Sequence, residues 1–125
     1  MTPFGLFLEG IRRSRGLQQN ELGQRLGINP CYISSMEKGR KGPPSEDLLK
    51  KINVVLELDA EENRELRRVV EQSGQKYNMP GNAGPHEYRL VNKLWAKLGS
   101  LTEKQAQGLE IFLDMTEETT RRKYQ

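Results

Sequence analysis

The 125-residue sequence is 34% hydrophobic, 6% aromatic and 30% charged, with a formal net charge of +3, one Cys and one His. That length holds one ordinary core, or a small domain with an appendage, and two large domains do not fit. One cysteine forms no internal disulfide, one Cys with one His forms no Cys/His zinc site, and no apolar run nears the ~18 residues of a membrane span, so no metal, cofactor or membrane contact is expected.

The start, MTPFGLFLEG, lacks the basic leader of an export signal, which points to a soluble cytoplasmic protein. Thr2 reads as an N-cap and Pro3 as a first helical residue, where its missing N–H costs nothing. Phe4, Phe7, Leu8 and Ile11 then fall at i, i+3, i+4 and i+7, one apolar stripe ending near Gly16. Gly5 and Gly10 weaken this helix. A second, short helix runs from Gln18 to Leu26, with Leu22 and Leu26 four apart and Gly27 as its left-handed stop. Gln18 stands where a Thr or Ser would cap better, at a cost of up to ~1 kcal/mol. Asn29 caps a third helix with Pro30 first inside it, Ile33 and Met36 facing inward and Gly39 ending it.

The run Arg40-Lys41-Gly42-Pro43-Pro44 is an exposed basic loop, because proline lacks a donor and restricts its predecessor. Ser45 caps a fourth helix whose Leu48, Leu49, Ile52, Val55 and Leu56 supply core. Asp59 with Glu62 forms a capping box for a fifth, in which Leu66, Val69 and Val70 are apolar. It fades at Ser73-Gly74. The turn formers between 75 and 85 mark a linker. Beyond it, Val91, Leu94, Trp95 and Leu98 restore helical spacing, Tyr88 and Trp95 reading as core aromatics. Thr102 and Gln105 box the start of a last helix with Leu109, Phe112, Leu113 and Met115 on its apolar face. No strand alternation occurs, so the fold class is all-α: a domain at 1–74, a linker at 75–85 and a helical extension at 86–125.

Charge is unevenly spread. Residues 1–44 hold seven Lys/Arg against three Asp/Glu, residues 45–74 five against eight, and residues 75–125 eight against six. The positive excess of the first third is where a polyanion would land. Two short helices meeting steeply need a small residue at the contact, a glycine in the turn and inward hydrophobes on either side. Gly23, Gly27 and the set Leu22, Leu26, Ile28, Ile33 and Met36 meet each need. The polar face of the following helix then projects at a size that fits a B-DNA major groove.

The motifs R-G-L-x-Q-x-E-L (from Arg15), L-G-I (from Leu26), Y-I-S (from Tyr32) and E-K-G (from Glu37), in this order and spacing, resemble the Cro/CI-type, or XRE-like, helix-turn-helix repressors over residues 4–70. The resemblance implies a five-helix, lambda-repressor-like DNA-binding domain with Asn29 through Lys38 as recognition helix. It places Gln19 at a DNA phosphate, Arg12 and Glu37 in a buried structural pair, and Pro30, Cys31, Tyr32 and Ser35 on the base-facing surface, with Ser34 near its edge. Lys38, Arg40 and Lys41 fall where backbone contacts follow that helix. Such regulators often read bases with bidentate Gln, Arg or Asn; here single hydrogen bonds, thymine methyls and groove shape would carry more of the recognition.

Other residues read more plainly. Cys31 is a small groove-facing residue rather than an acidified thiol, and His86 is solvated. Gly39-Arg40-Lys41-Gly42 lacks the spacing of a phosphate-binding loop. Glu61, Glu62 and Glu65 form a charged helix face with no paired acid and base, so no enzyme is expected. The expected function is a dimeric transcriptional regulator, a repressor bound to a pseudo-palindromic double-stranded operator and so localised to the nucleoid. Its dimer contact would be Val91, Leu94, Trp95, Leu98, Leu109, Phe112 and Leu113. The alternative is an antitoxin or adaptor whose C-terminal helices bind a partner protein, DNA binding then serving autoregulation.

Overall fold

A computed structural model describes residues 1–74 and 76–123, with side chains through Met115. Gln75, which opens the expected linker, and residues 124–125, which end the expected extension, lie outside the described residues. Among the described residues there are seven helices and no strand: α1 (Pro3–Ser14), α2 (Gln19–Leu26), α3 (Pro30–Glu37), α4 (Glu46–Val55), α5 (Ala60–Gln72), α6 (Pro85–Lys97) and α7 (Glu103–Lys123). They fall into two compact units, Met1–Asn78 and Met79–Gln125.

Local chemistry sets where the helices start. Thr2 Oγ1 accepts from the Gly5 N–H at 3.0 Å, Asn29 Oδ1 from the Cys31 N–H at 2.8 Å, and Ser45 Oγ from the Leu48 N–H at 3.4 Å. These bonds satisfy amides that have no partner inside the helix. Asp59 and Glu62 exchange bonds of 2.7 and 3.1 Å, the reciprocal box expected of them. Gln18 makes no side-chain cap. Its own N–H instead donates to Glu21 Oε1 at 3.1 Å, so α2 recovers part of what a Ser or Thr would supply.

In the first unit α1 lies across α3 and α5, and α2 packs on α3 and α4. Phe4, Leu8, Leu22, Leu26, Ile33, Met36, Ile52, Leu56 and Leu66 are completely or almost completely buried, each worth ~1.5–3 kcal/mol. Gly5 has a reason that helix propensity hides: a Cβ there would stand 2.4 Å from the Met36 carbonyl oxygen and 2.7 Å from that of Glu37. Its absence lets α1 approach α3. Ser73, also buried, joins the two ends of the unit: its Oγ donates to the Val69 carbonyl at 2.6 Å and accepts from the Phe4 N–H at 2.9 Å.

The second unit is built differently. Thr102 and Gln105 box the start of α7 with bonds of 2.9 and 3.1 Å, yet α6 buries none of its residues. Tyr88 is 48% exposed and Trp95 67%, which corrects the expectation that both are core aromatics. Two helices offer too little facing surface to enclose side chains of that size. Among the described residues no helix is long and apolar enough to cross a membrane.

Candidate nucleic-acid interface

The helix pair that carries the candidate surface is held by contacts only small residues permit. A Cβ on Gly23 would stand 2.9 Å from the Ile28 carbonyl oxygen and 3.3 Å from the Pro30 ring, and Gly27 turns the chain with φ at +73°. That left-handed conformation costs an L side chain ~1–2 kcal/mol. The pair therefore closes tightly, with Leu22, Leu26, Ile33 and Met36 inside.

What remains outside on α3 is the surface of interest. Asn29, Pro30, Cys31, Lys38, Arg40 and Lys41 are exposed, and Tyr32, Ser34 and Ser35 are half-buried. The chain after α3 folds back onto it, because the Arg40 and Lys41 N–H groups both donate to the Ser35 carbonyl, at 2.9 and 3.3 Å. This keeps the loop cations beside the helix. Lys41 Nζ sits 5.4 Å from the centroid of the Tyr32 ring, within cation–π range.

Beneath this surface lies the Arg12–Glu37 pair, both residues buried. Arg12 Nε donates to Glu37 Oε2 at 2.8 Å, Nη2 to Oε1 at 3.0 Å, and Nη1 to the Leu17 carbonyl at 2.8 Å. The fork geometry makes the pair strong, and the hydrogen bond to Glu37 raises the Arg12 pKa further. Gln19 Nε2 adds a third donor to the carboxylate, 3.0 Å from Glu37 Oε1. One amide hydrogen of Gln19 is thus committed inside the protein. Sequence reading missed that tie, since it joins residues eighteen apart that no pattern connects.

The cations sort into two sets. Arg13 pairs with Glu9, Arg15 with Glu62, Arg67 with Glu46 and Arg68 with Glu65. Arg15 also donates to the Leu56 and Glu57 carbonyls at 2.9 and 3.3 Å, closing the C-terminus of α4. Its partner Glu62 is held below the usual carboxylate range, as is Glu46 by Arg67. Among the described residues Lys38, Arg40 and Lys41 join no ion pair, a property shared with others such as Arg25. Three unneutralised cations thus follow directly on a helix whose outer face is polar. Among the described residues, no three of His, Cys, Asp or Glu stand close enough to hold a metal ion.

The residues expected at a dimer or partner contact lie in the second unit and are all exposed: Val91, Leu94, Trp95 and Leu98 on or at the end of α6, Leu109, Phe112 and Leu113 on α7. Leu90 and Leu94 line one groove with Leu109, Phe112 and Leu113.

Residues 3–66 match the family described as "Helix-turn-helix domain". The chain is 39% identical over 61 residues to the "Uncharacterized HTH-type transcriptional regulator RghRB" of Bacillus subtilis (strain 168), a match spanning 49% of this chain and 44% of that protein's length. A solved chain from the "SinR protein/SinI protein complex" aligns over 98% of this chain and 99% of its own, at 20% identity and a TM-score of 0.45. With a family match across α1 to α4 and the first half of α5, and the helix pair it requires in place, this chain belongs to the helix-turn-helix domain family.

Proposed function

We propose that this protein is a dimeric repressor that binds a pseudo-palindromic double-stranded operator, laying residues 29–38 in the major groove. The observation that carries this reading is the unpaired cation group Lys38, Arg40 and Lys41 beside the outward face of α3. Phosphate contacts supply most of the affinity of such proteins and position the reading helix, while base edges supply specificity.

In this reading the second amide hydrogen of Gln19 and the N-terminal amides of α2 meet one phosphate, and the three cations meet others. Asn29, Pro30, Cys31, Tyr32, Ser34 and Ser35 face the groove. With no bidentate amide or guanidinium among Pro30, Cys31, Tyr32 and Ser35, base discrimination rests on single hydrogen bonds, methyl contacts and duplex shape. Replacing Ser35 should then alter preference among sites by ~1–3 kcal/mol per disturbed base pair.

One such surface makes few contacts, and a second copy doubles them with the two recognition helices ~34 Å apart. The exposed apolar residues of α6 and α7 are the proposed dimer contact. Two hairpins packed together form a four-helix arrangement that buries what one leaves bare. Light scattering on a chain ending at Gly74 should find a monomer where the full chain is a dimer; equal dimerisation by both would remove the tail from the contact. A foreign protein recovered with the full chain at equal stoichiometry, in place of a second copy, would favour the antitoxin or adaptor reading. DNA recognition itself is tested by selecting bound duplexes from a random pool at physiological salt. A palindromic consensus with half-site centres ~10 base pairs apart is expected, and no enrichment would refute the reading.

A further inference from the structure

We propose that Tyr32 is a positioning residue for Lys41: its ring is the platform that holds the lysine ammonium beside α3, ready for a DNA phosphate. The inference rests on the DNA-binding reading above and changes what Tyr32 does within it.

Tyr32 occupies the first turn of α3, half-buried, with its ring packed against the hydrophobic core. A ring anchored in that way has little freedom to follow a base edge. Its face is instead occupied by Lys41 Nζ, 5.4 Å from the centroid. The chain between them brings this about: the Arg40 and Lys41 N–H groups close on the Ser35 carbonyl, so the loop leaves α3 only to return along its side. Lys41 therefore has a fixed backbone and a fixed end to a side chain that is otherwise long and mobile. Among the described residues no carboxylate competes for that ammonium, so the ring is its partner, and the ammonium keeps that contact while its outward N–H groups meet a phosphate. A lysine ordered beforehand loses less freedom on binding. Among the described residues Arg40, one residue earlier, has no such platform.

The contact makes Tyr32 act on affinity for any duplex, through a phosphate. A base-reading tyrosine would act on one site. The aromatic face matters to the first role and the hydroxyl to the second.

The test compares Tyr32→Phe, Tyr32→Leu, Lys41→Ala and the double variant Tyr32→Leu/Lys41→Ala, all as full-length protein with melting temperatures checked. Each is titrated with the selected duplex and with a random duplex. Tyr32→Leu should weaken both about two- to fivefold, the factor that a surface cation–π contact corresponds to. Tyr32→Phe should bind as the unaltered protein does, and Tyr32→Leu should add nothing once Lys41 is Ala. A loss confined to the selected duplex, an equal loss in Tyr32→Phe, or additive losses in the double variant would overturn the proposal. A measurement on the free protein separates it from the DNA-binding reading. Proton NMR should find the Lys41 ε-methylene resonance shifted upfield by the ring and returned to its ordinary position in Tyr32→Leu. Absence of that shift overturns the platform even where DNA binds, whereas the shift with no binding to any duplex would refute the DNA reading.

Discussion

The two units carry apolar residues at the same helical spacing and treat them in opposite ways. In the first, Phe4, Leu8, Ile33, Ile52 and Leu66 vanish into a core; in the second, Leu90, Trp95, Ile111, Phe112 and Leu113 are each more than half exposed. One unit has five helices around a common centre, and the other has two. Periodicity announces that a face will be covered. What covers it depends on how many helices share the unit, and here that divides a unit with a closed core from a helix pair whose apolar residues stay exposed.

Removing the buried carboxylate should cost the first unit the most stability. Glu37→Ala leaves the Arg12 guanidinium and the Gln19 amide without their shared acceptor, and should cost ~3–5 kcal/mol in urea unfolding. A loss below 1 kcal/mol would mean that water reaches the pair.

Truncating a buried side chain in one unit and exposed ones in the other separates the two cases. Ile33→Ala should destabilise the first unit by ~2–5 kcal/mol. Trp95→Ser and Phe112→Ser should leave that unit's unfolding within ~0.5 kcal/mol, as surface changes do, while raising the concentration at which the full chain self-associates. Self-association unaffected by both would remove α6 and α7 from the proposed contact.

Acid should act on the first unit more gently. Arg15 lowers the pKa of Glu62 and Arg67 that of Glu46. A carboxylate whose folded pKa lies below its unfolded value stabilises the fold above that unfolded value, 4.5 here, and the contribution is lost as pH falls through the folded one. The urea midpoint should therefore decline below about pH 4.5, and Glu62→Gln should flatten the decline. An identical decline in Glu62→Gln would show that Arg15 gives its partner no advantage in the fold.

Much of the first unit is readable locally. Thr2, Asn29, Ser45 and Asp59 cap amides two or three residues away, and Leu22, Gly23, Gly27 and Ile33 lie within a dozen residues. What escapes is set by distant partners. Gly5 looks like a flaw in a helix until the carbonyls of Met36 and Glu37 are seen against it. Ser73 meets Phe4 across 69 residues, and Arg15 reaches Leu56 across 41. The outward residues of α3 follow from the spacing that buries Ile33 and Met36, whereas the Tyr32–Lys41 contact depends on the return of a loop. In the second unit the capping of α7 was legible at Thr102 and Gln105. The exposure of Trp95 was not, because its spacing is that of a core residue.

If Lys38, Arg40 and Lys41 meet DNA phosphates as proposed, the salt dependence of binding reveals it. Log K against log salt should be linear, and replacing all three by Ala should flatten its slope by ~2–3 units, close to one per lost contact. A slope unchanged by the triple replacement would take these cations off the duplex and contradict the orientation proposed for α3.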